Sequence, residues 1–489
     1  MKNYSLSVKG GGEITAICAN DENSILDALR SANIAAVGAP CGGRGLCGKC
    51  AIHAKGRVRS LETGEVSDVD GTILSCRYAP AGDCEIELSE SELNIALGDK
   101  VKLHGETGGL GLALDIGTTT IAAAVYDLES GECIAEKSAK NSQCAFGADV
   151  ISRIEHCRKG NAEALYACLG TQLSKILSDF GKIKKAVIVG NTVMEHFAAR
   201  LDPTSLAIPP FTPQTLFGEH KTYKNTDVYF ARCVSAYVGG DILAGMLACK
   251  LQNEAETVLY VDIGTNGEIV LGNKDGFNCC ATAAGPAFEG AEIECGMNAS
   301  NGAIDSVWLE NGKIIVHVIG ECEAKGICGS GLIDAVAVML NEKIIGKSGR
   351  FSNNENYADR LIEKDGVKAF RLSENVYLSA HDIRKVQLAK AAIYAGIETI
   401  TDGKEISKLI VAGGFGRYIN VENAVRIGLL PDFCVEKIRQ VGNAAASGAA
   451  LLLEPDNKKI LNSLAEKCRY TDLSSSAVFS ENYIKNLNF

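Results

Sequence analysis

"LALDIGTTTIAAAVYDLESG" at residues 112–131 and "LYVDIGTNGEIVLGNKDG" at 259–276 decide the fold. Each is an apolar run ending in Asp, a tight Ile-Gly-Thr turn, a second apolar run and a polar turn, which reads as a hairpin with an acid at its bend. Glycine in that turn lets backbone N–H groups and threonine hydroxyls approach phosphate oxygens. Magnesium favours carboxylate and water oxygens while bridging nucleotide phosphates. Asp115 and Asp262, with Gly117, Thr118, Thr119, Gly264, Thr265 and Asn266, therefore read as a Mg-nucleotide clamp. One Asp-Gly turn is an ordinary strand end, but two copies about 147 positions apart indicate a duplicated unit with a cleft between its halves.

Downstream segments extend the pattern. "KLIVAGGFGRYI" (408–419) runs an apolar strand into Gly413, Gly414 and Gly416, a turn on which a base or ribose lies unless it is a plain tight turn. "VGNAAASGAALL" (441–452) is a small-residue helix that permits close packing. In "GICGSGLIDAV" (326–336), Gly329 and Ser330 open a helix whose N–H groups hold a phosphate or ribose oxygen, or simply mark a turn. Glu289 in "GPAFEG" and Asp241 in "YVGGD" either orient water or metal, or cap helices.

The amino-terminal part has different chemistry. "CGGRGLCGKC" (41–50) places Cys41, Cys47 and Cys50 in one loop, and Cys76 follows in "GTILSCRYA" (71–79). Zinc sites usually present two short cysteine pairs. Three cysteines in a loop plus one distant are nearer the plant-type C-x4-C-x2-C…C spacing, although the first gap here is five. Gly42, Gly43, Gly45 and Gly48 suit a loop that wraps an inorganic cluster and brings its N–H groups to the sulfides. Cys84 is an alternative fourth ligand, but it opens an apparent strand and reads as a packed thiol. Around the loop, "YSLSV" and "EITAICA" read as a hairpin, "SILDALRSAN" as a helix, and "CAIHA" and "CEIEL" as strands, a small β-grasp layout. Arg44, Lys49, Arg57, Arg59 and Arg77 form either a guide for an acidic redox partner or a solvated rim.

A chain of 489 residues exceeds one core and divides into two or three domains. Its net charge of −11 argues against a nucleic-acid partner. No run approaches the roughly 20 apolar residues of a membrane span, and the start has no signal-peptide core, so the expected setting is cytoplasmic, with no membrane partner. Nineteen cysteines, an odd number in a long chain, read as reduced thiols rather than a disulfide framework. Cys133, Cys157, Cys168, Cys233, Cys249 and Cys468 read as small core residues, as do Cys279, Cys280 and Cys328.

Residues 1–90 resemble the 2Fe-2S ferredoxins, which implies Cys41, Cys47, Cys50 and Cys76 as the iron ligands. Residues 111–455 resemble the ASKHA superfamily of acetate and sugar kinases, heat-shock chaperones and actin. DIGTTT looks like its first phosphate motif, DIGTNGEIV its second, VAGGFG its adenosine motif and GNAAASGAA its second connecting helix. The expected fold is thus α+β and α/β: a β-grasp domain at 1–90, a linker at 91–111, and a two-lobed ATPase at 112–489. Its lobes run from about 112 to 258 and 259 to 455, with a tail at 456–489.

The combination resembles the reductive activators of corrinoid-dependent proteins, also in "FGADVISRI" (146–154), "VGNTVMEHF" (189–197), "AYVGGDILAGML" (236–247) and "CCATAAGPAFEGAEIECGMNASNGAI" (279–304). That resemblance implies ATP-dependent delivery of an electron from a 2Fe-2S cluster to Co(II), regenerating Co(I). It also implies Mg2+, a corrinoid protein of a methyltransferase system, a low-potential electron donor and room for a homodimer. Rival readings are a redox-linked phosphotransferase of the sugar or acetate kinase type, an activator of another low-potential metalloprotein, and a non-catalytic electron-transfer module with a degenerate nucleotide site. One departure is expected: the family carries a further linker and middle domain after the ferredoxin, where this chain has about twenty residues.

Overall fold

The computed structural model describes residues 2–10, 13–32, 34, 37, 39, 41, 43–45, 48–88, 101–105, 108–223, 226–414, 418–432 and 435–489. Cys47, Gly416 and most of the expected linker lie outside the described residues.

The amino-terminal unit is a five-stranded sheet in the order Glu13–Asn20, Asn3–Gly10, Tyr78–Glu87, Ala51–Ser60, Val66–Leu74. The first two strands form the expected antiparallel hairpin, and Asn3–Gly10 runs parallel to Tyr78–Glu87. Alternating residues Leu6, Val8, Ile52, Ala54 and Ile86 point to one core, against which Leu26 and Leu29 of the helix Ile25–Ser31 pack. Ser24 starts that helix by accepting the Asp27 N–H at 3.1 Å. The strand Val66–Leu74 was not expected from sequence, because it is a mostly exposed edge without apolar alternation.

Duplication is visible in the two six-stranded sheets. In the first, Leu110–Ile116 forms an antiparallel meander with Thr120–Asp127 and Cys133–Lys140, and its other side continues in parallel through Ile183–Gly190 and Thr226–Phe230. In the second, Val258–Ile263 does the same with Gly267–Asn273 and Gly276–Thr282, then with Lys408–Ala412 and Ile438–Gly442. Only the sixth strands differ: Glu219–Tyr223 pairs with Thr226–Phe230, whereas Cys468–Tyr470 pairs with Gly276–Thr282. Residues 456–489 bridge the lobes: Leu461 and Leu464 are buried beside Gly240–Ala248, and Phe479 packs against the second lobe's core.

The lobes join where two small-residue helices, Gly240–Ala248 and Ala444–Leu451, pack together. A Cβ built on Gly448 would collide with the Ala244 carbonyl oxygen, and one on Gly245 with the Tyr260 hydroxyl. Such close backbone approach draws residues from both sheets into one shared core, including Ala113, Val187, Val258 and Ile410. The hinge of the cleft is therefore set by the absence of side chains.

Candidate nucleotide cleft and cluster loop

A cavity of about 400 Å³ opens between the lobes. Asp115 and Asp262 reach it from the ends of equivalent strands, Leu110–Ile116 and Val258–Ile263, because the duplicated register brings both turns to the same cleft. Gly117, Thr118, Thr119, Asp241, Gly264, Thr265, Asn266, Glu289, Gly329, Ser330, Gly413 and Gly414 also line it. Every expected nucleotide residue within the described part of the chain thus meets in one place. Asp241 stands in the first turn of Gly240–Ala248, whose N-cap is Gly239, so it is not itself the cap. Nor is Glu289 a cap: its carboxylate accepts from the hydroxyls of Thr119 and Thr265, the latter at 2.8 Å. The Ser330 hydroxyl is engaged with the Asp305 carbonyl at 2.8 Å, which leaves the amino-terminal N–H groups of helix Gly329–Asn341 as that element's contribution.

Electrostatics sets the character of the cleft. Six carboxylates line it, those of Asp115, Asp241, Asp262, Glu268, Glu289 and Asp305, and among the described residues no Lys, Arg or His does. Burial pushes the Asp115 carboxyl up to about 6, against the donated Asn443 amide. Burial and the Asp115 charge raise Asp262 to about 7, and burial with both aspartates raises Asp241 to about 8. Burial likewise raises Glu289 and carries Glu268 well above the usual carboxylate range. Once ionised, these carboxylates repel a polyphosphate unless a cation lies between them. The donors present, carboxylate and hydroxyl oxygens, are the hard ligands that magnesium takes.

Several supporting residues escaped the sequence reading. Asn443 of the second lobe donates across the cleft to Asp115 Oδ2 at 2.9 Å, while its own oxygen caps helix Ala444–Leu451. Asn191 caps helix Thr192–Ala198 and donates to Thr118 Oγ1 at 3.0 Å. Tyr260 donates its hydroxyl to Asp262 Oδ2 at 3.2 Å. Beneath the first turn the fully buried Arg153 donates to the Thr118 carbonyl at 2.5 Å, and Asn141 donates to that of Gly117 at 2.8 Å. Arg153 therefore shapes the turn through its backbone rather than by touching a ligand.

At the amino-terminal loop, Gly43, Gly45 and Gly48 take φ of 91°, 75° and 68°, left-handed conformations that carry little penalty only in glycine. Cys50 and Cys76 are buried with sulfurs 3.1 Å apart, far beyond the roughly 2.05 Å of a disulfide, so they are two facing thiols. Burial, then the Cys50 thiol and Cys41, pushes Cys76 up to about 12. Iron binding to thiolates would relieve that crowding by displacing the protons, so the donor set fits an iron-sulfur cluster. Ser75 fixes the pair by donating through N and Oγ to the Cys50 carbonyl at 2.9 and 2.8 Å. Cys84 is buried within its strand, its sulfur against the Arg57 carbonyl at 3.3 Å, as a packed thiol would be. Two of the basic residues serve the loop itself: Arg44 donates to the Cys41 carbonyl at 2.9 Å and Arg77 to that of Gly45 at 2.7 Å.

Comparison with known proteins accounts for all three parts. Residues 8–81 match the 2Fe-2S iron-sulfur cluster binding domain, residues 110–254 the RACo middle region, and residues 256–489 the C-terminal domain of RACo, described as the ASKHA domain. The expectation of a missing middle domain is thereby corrected. The middle region is the first lobe itself, which reads as half of the ATPase because it carries its own Asp-Ile-Gly-Thr turn. The corrinoid activation enzyme RamQ of Eubacterium limosum is 34% identical over 419 residues, 78% of this chain and 70% of that protein. The [Co(II) methylated amine-specific corrinoid protein] reductase of Methanosarcina barkeri is 24% identical over 431 residues, 78% and 77% of the two chains. A solved reductive activator for corrinoid, iron-sulfur protein superposes with a TM-score of 0.71 at 29% identity, covering 99% of this chain and 98% of that one. Among the described residues no helix is long and apolar enough to cross a membrane.

Proposed function

The chain belongs to the RACo family, and from that premise we propose that it is an ATP-hydrolysing iron-sulfur activase that returns the Co(II) of a corrinoid protein to Co(I). The observation that carries this reading is the meeting, on one chain, of a cation-demanding cleft between duplicated lobes and a glycine-rich cysteine loop. A 2Fe-2S cluster held by the cysteine loop would supply one electron per event to cobalt, to be replaced from a low-potential one-electron donor. Plant-type clusters lie near about −400 mV, so work is needed to make a still lower-potential acceptor receptive. Nucleotide binding and hydrolysis to ADP and phosphate supply it through conformational change.

Within the cleft, Asp115 and Asp262 would hold Mg2+, and Asn443 and Tyr260 orient those carboxylates. Thr118, Thr119, Thr265 and the two glycine turns bind phosphate oxygens. Asp241, which faces both metal-holding aspartates, orients the attacking water. Gly413 and Gly414 take the nucleoside side, and the first turn of helix Gly329–Asn341 takes phosphate or ribose oxygens. No side chain is required as a covalent nucleophile, because positioning and charge stabilisation suffice for this hydrolysis. Cys41, Cys47, Cys50 and Cys76 would hold the iron. The partner is a corrinoid protein of a methyltransferase system, a reading supported by the methylated-amine specificity in the name of the Methanosarcina barkeri relative.

The test is to mix anaerobic, iron-loaded protein with Co(II) corrinoid proteins of methyltransferase systems, a reductant and Mg-ATP. Co(I) absorption should grow only with ATP. Equal growth without nucleotide, or none with any such partner, would overturn the reading.

A further inference from the structure

Glu289 and Lys49 are linked through the two ends of one short loop, and the contacts along it are continuous. At one end the Glu289 carboxylate ties the lobes together, accepting from Thr119 of the first phosphate turn and Thr265 of the second. Those two hydroxyl oxygens lie only 3.5 Å apart. At the other end Lys49, in the cluster loop next to Cys50, donates to the Gly296 carbonyl at 2.8 Å and the Glu294 carbonyl at 3.1 Å. Between them Gly290, which follows Glu289, lies directly against Gly296, since a Cβ on Gly296 would collide with the Gly290 carbonyl. The loop also has a fixed shoulder. Glu294 accepts from Tyr377 at 3.0 Å and Ser379 at 2.7 Å, and its N–H donates to Asp382 at 2.9 Å.

This arrangement has two incompatible states at one end. A terminal phosphate brought to the Thr119 and Thr265 hydroxyls claims the same two donors that Glu289 occupies, and two anions repel at that distance. Room exists for the displaced side chain: a second cavity of about 170 Å³, lined by Thr119, Cys144, Glu289, Gly296 and Lys49, lies on the side of the cluster loop. Because the shoulder at Glu294 is pinned, displacement at Glu289 falls on the Gly290–Gly296 contact and hence on the carbonyl that Lys49 holds.

We propose that the segment Glu289–Met297 reports terminal-phosphate occupancy to the cluster loop, with Lys49 as the positioning residue that receives the signal. The proposal rests on the reading that the cleft takes ATP and the cysteine loop takes the cluster, but it needs no corrinoid. It is tested on the iron-loaded full chain by the rate at which an iron chelator strips the cluster. A hydrolysis-resistant ATP analogue should raise that rate about fivefold over ADP, the lower end of ordinary coupling. In Lys49→Met the rate should be high with either nucleotide, and in Lys49→Arg the nucleotide dependence should return. Equal rates in the unaltered protein, or an undiminished nucleotide dependence in Lys49→Met, overturn the proposal. Should Lys49→Met take up no iron, amide exchange across 290–297 in the unaltered protein decides. Faster exchange with the analogue than with ADP supports the proposal, and unchanged exchange overturns it. Neither measurement involves cobalt, so a failure to form Co(I) leaves the result standing, and the reverse also holds.

Discussion

Raising the pH of the metal-free protein from about 6 to about 8 is expected to destabilise it, and magnesium with nucleotide to reverse the loss. Asp115, Asp262 and Asp241 titrate near about 6, 7 and 8 in the folded cleft, against roughly 3.9 in an unfolded chain. Above pH 4 the unfolded chain has already released protons that the folded cleft still holds, so each unit of rising pH favours unfolding until the folded pKa is passed. Each raised carboxyl contributes at most about 1.4 kcal/mol per pH unit while it stays protonated, and between pH 6 and 8 that falls mainly on Asp262 and Asp241. The loss across the window is then on the order of 3–4 kcal/mol, an upper figure because the three groups titrate as one coupled set. Metal binding requires the ionised forms. At pH 7 it should therefore release roughly half a proton from Asp115 and Asp262, and up to about one and a half when Asp241 ionises with them, read by calorimetry in buffers of different ionisation enthalpy. A melting temperature in chelator that stays level or rises from pH 6 to 8, or binding without proton release, would refute the electrostatic account of the cleft.

The same geometry sets three further expectations. Asn443→Ala removes the amide donated to Asp115, a bond to a charged acceptor worth about 1.5–3 kcal/mol, so the Asp115 carboxyl should move up by about one unit or more and more protons should be released on metal binding at pH 7; unchanged release would exclude that role. Gly448→Val drives a side chain into the Ala244 carbonyl at the helix crossing and should weaken nucleotide binding on the order of tenfold while leaving the visible spectrum of the cluster intact. Unchanged nucleotide affinity would show that the crossing does not set the cleft. Cys50→Ser should abolish iron loading without changing nucleotide affinity, and simultaneous loss of both would contradict separable units.

What the sequence made legible was local. An apolar strand running into Asp-Ile-Gly-Thr and out into a second strand is specified within twenty residues, and its repetition foretold two like sheets before any pairing was known. The cysteine loop was legible for the same reason, since glycine and thiol crowd into ten positions. Residues whose work is done across the cleft were not. Asn443 serves an aspartate 328 positions away, a relation that only the joining of the lobes creates. A signal was nevertheless present: Val-Gly-Asn occurs at 189–191 and again at 441–443, each time as a strand ends, and both asparagines cap a helix and reach into the cleft. Glu268 escaped because a charged residue inside a hairpin strand reads as solvent-facing, whereas here it is buried toward Asp241 of the first lobe.

The ferredoxin unit also holds the first lobe, and the two attachments differ in kind. Arg30 donates to the Ala145 carbonyl at 2.7 Å, lies over the Phe146 ring at 5.5 Å, pairs with Asp27 at 3.0 Å and has a side chain only 10% exposed. On the second lobe, Lys49 holds two backbone carbonyls from a half-buried position with a flexible stem. A guanidinium stacked on an aromatic ring and fixed by an ion pair loses less freedom per bond than an ammonium on four methylenes, so it is the stronger anchor. A rigid five-stranded body tied to two lobes cannot keep both ties when the angle between them changes, and the weaker tie yields first. Lobe closure should therefore leave the ferredoxin unit with the first lobe and part it from the second. Spin labels on the ferredoxin sheet and on each lobe measure this directly. A nucleotide-dependent change in the distance to the first lobe, with the distance to the second unchanged, would reverse the order of strengths argued from Arg30 and Lys49.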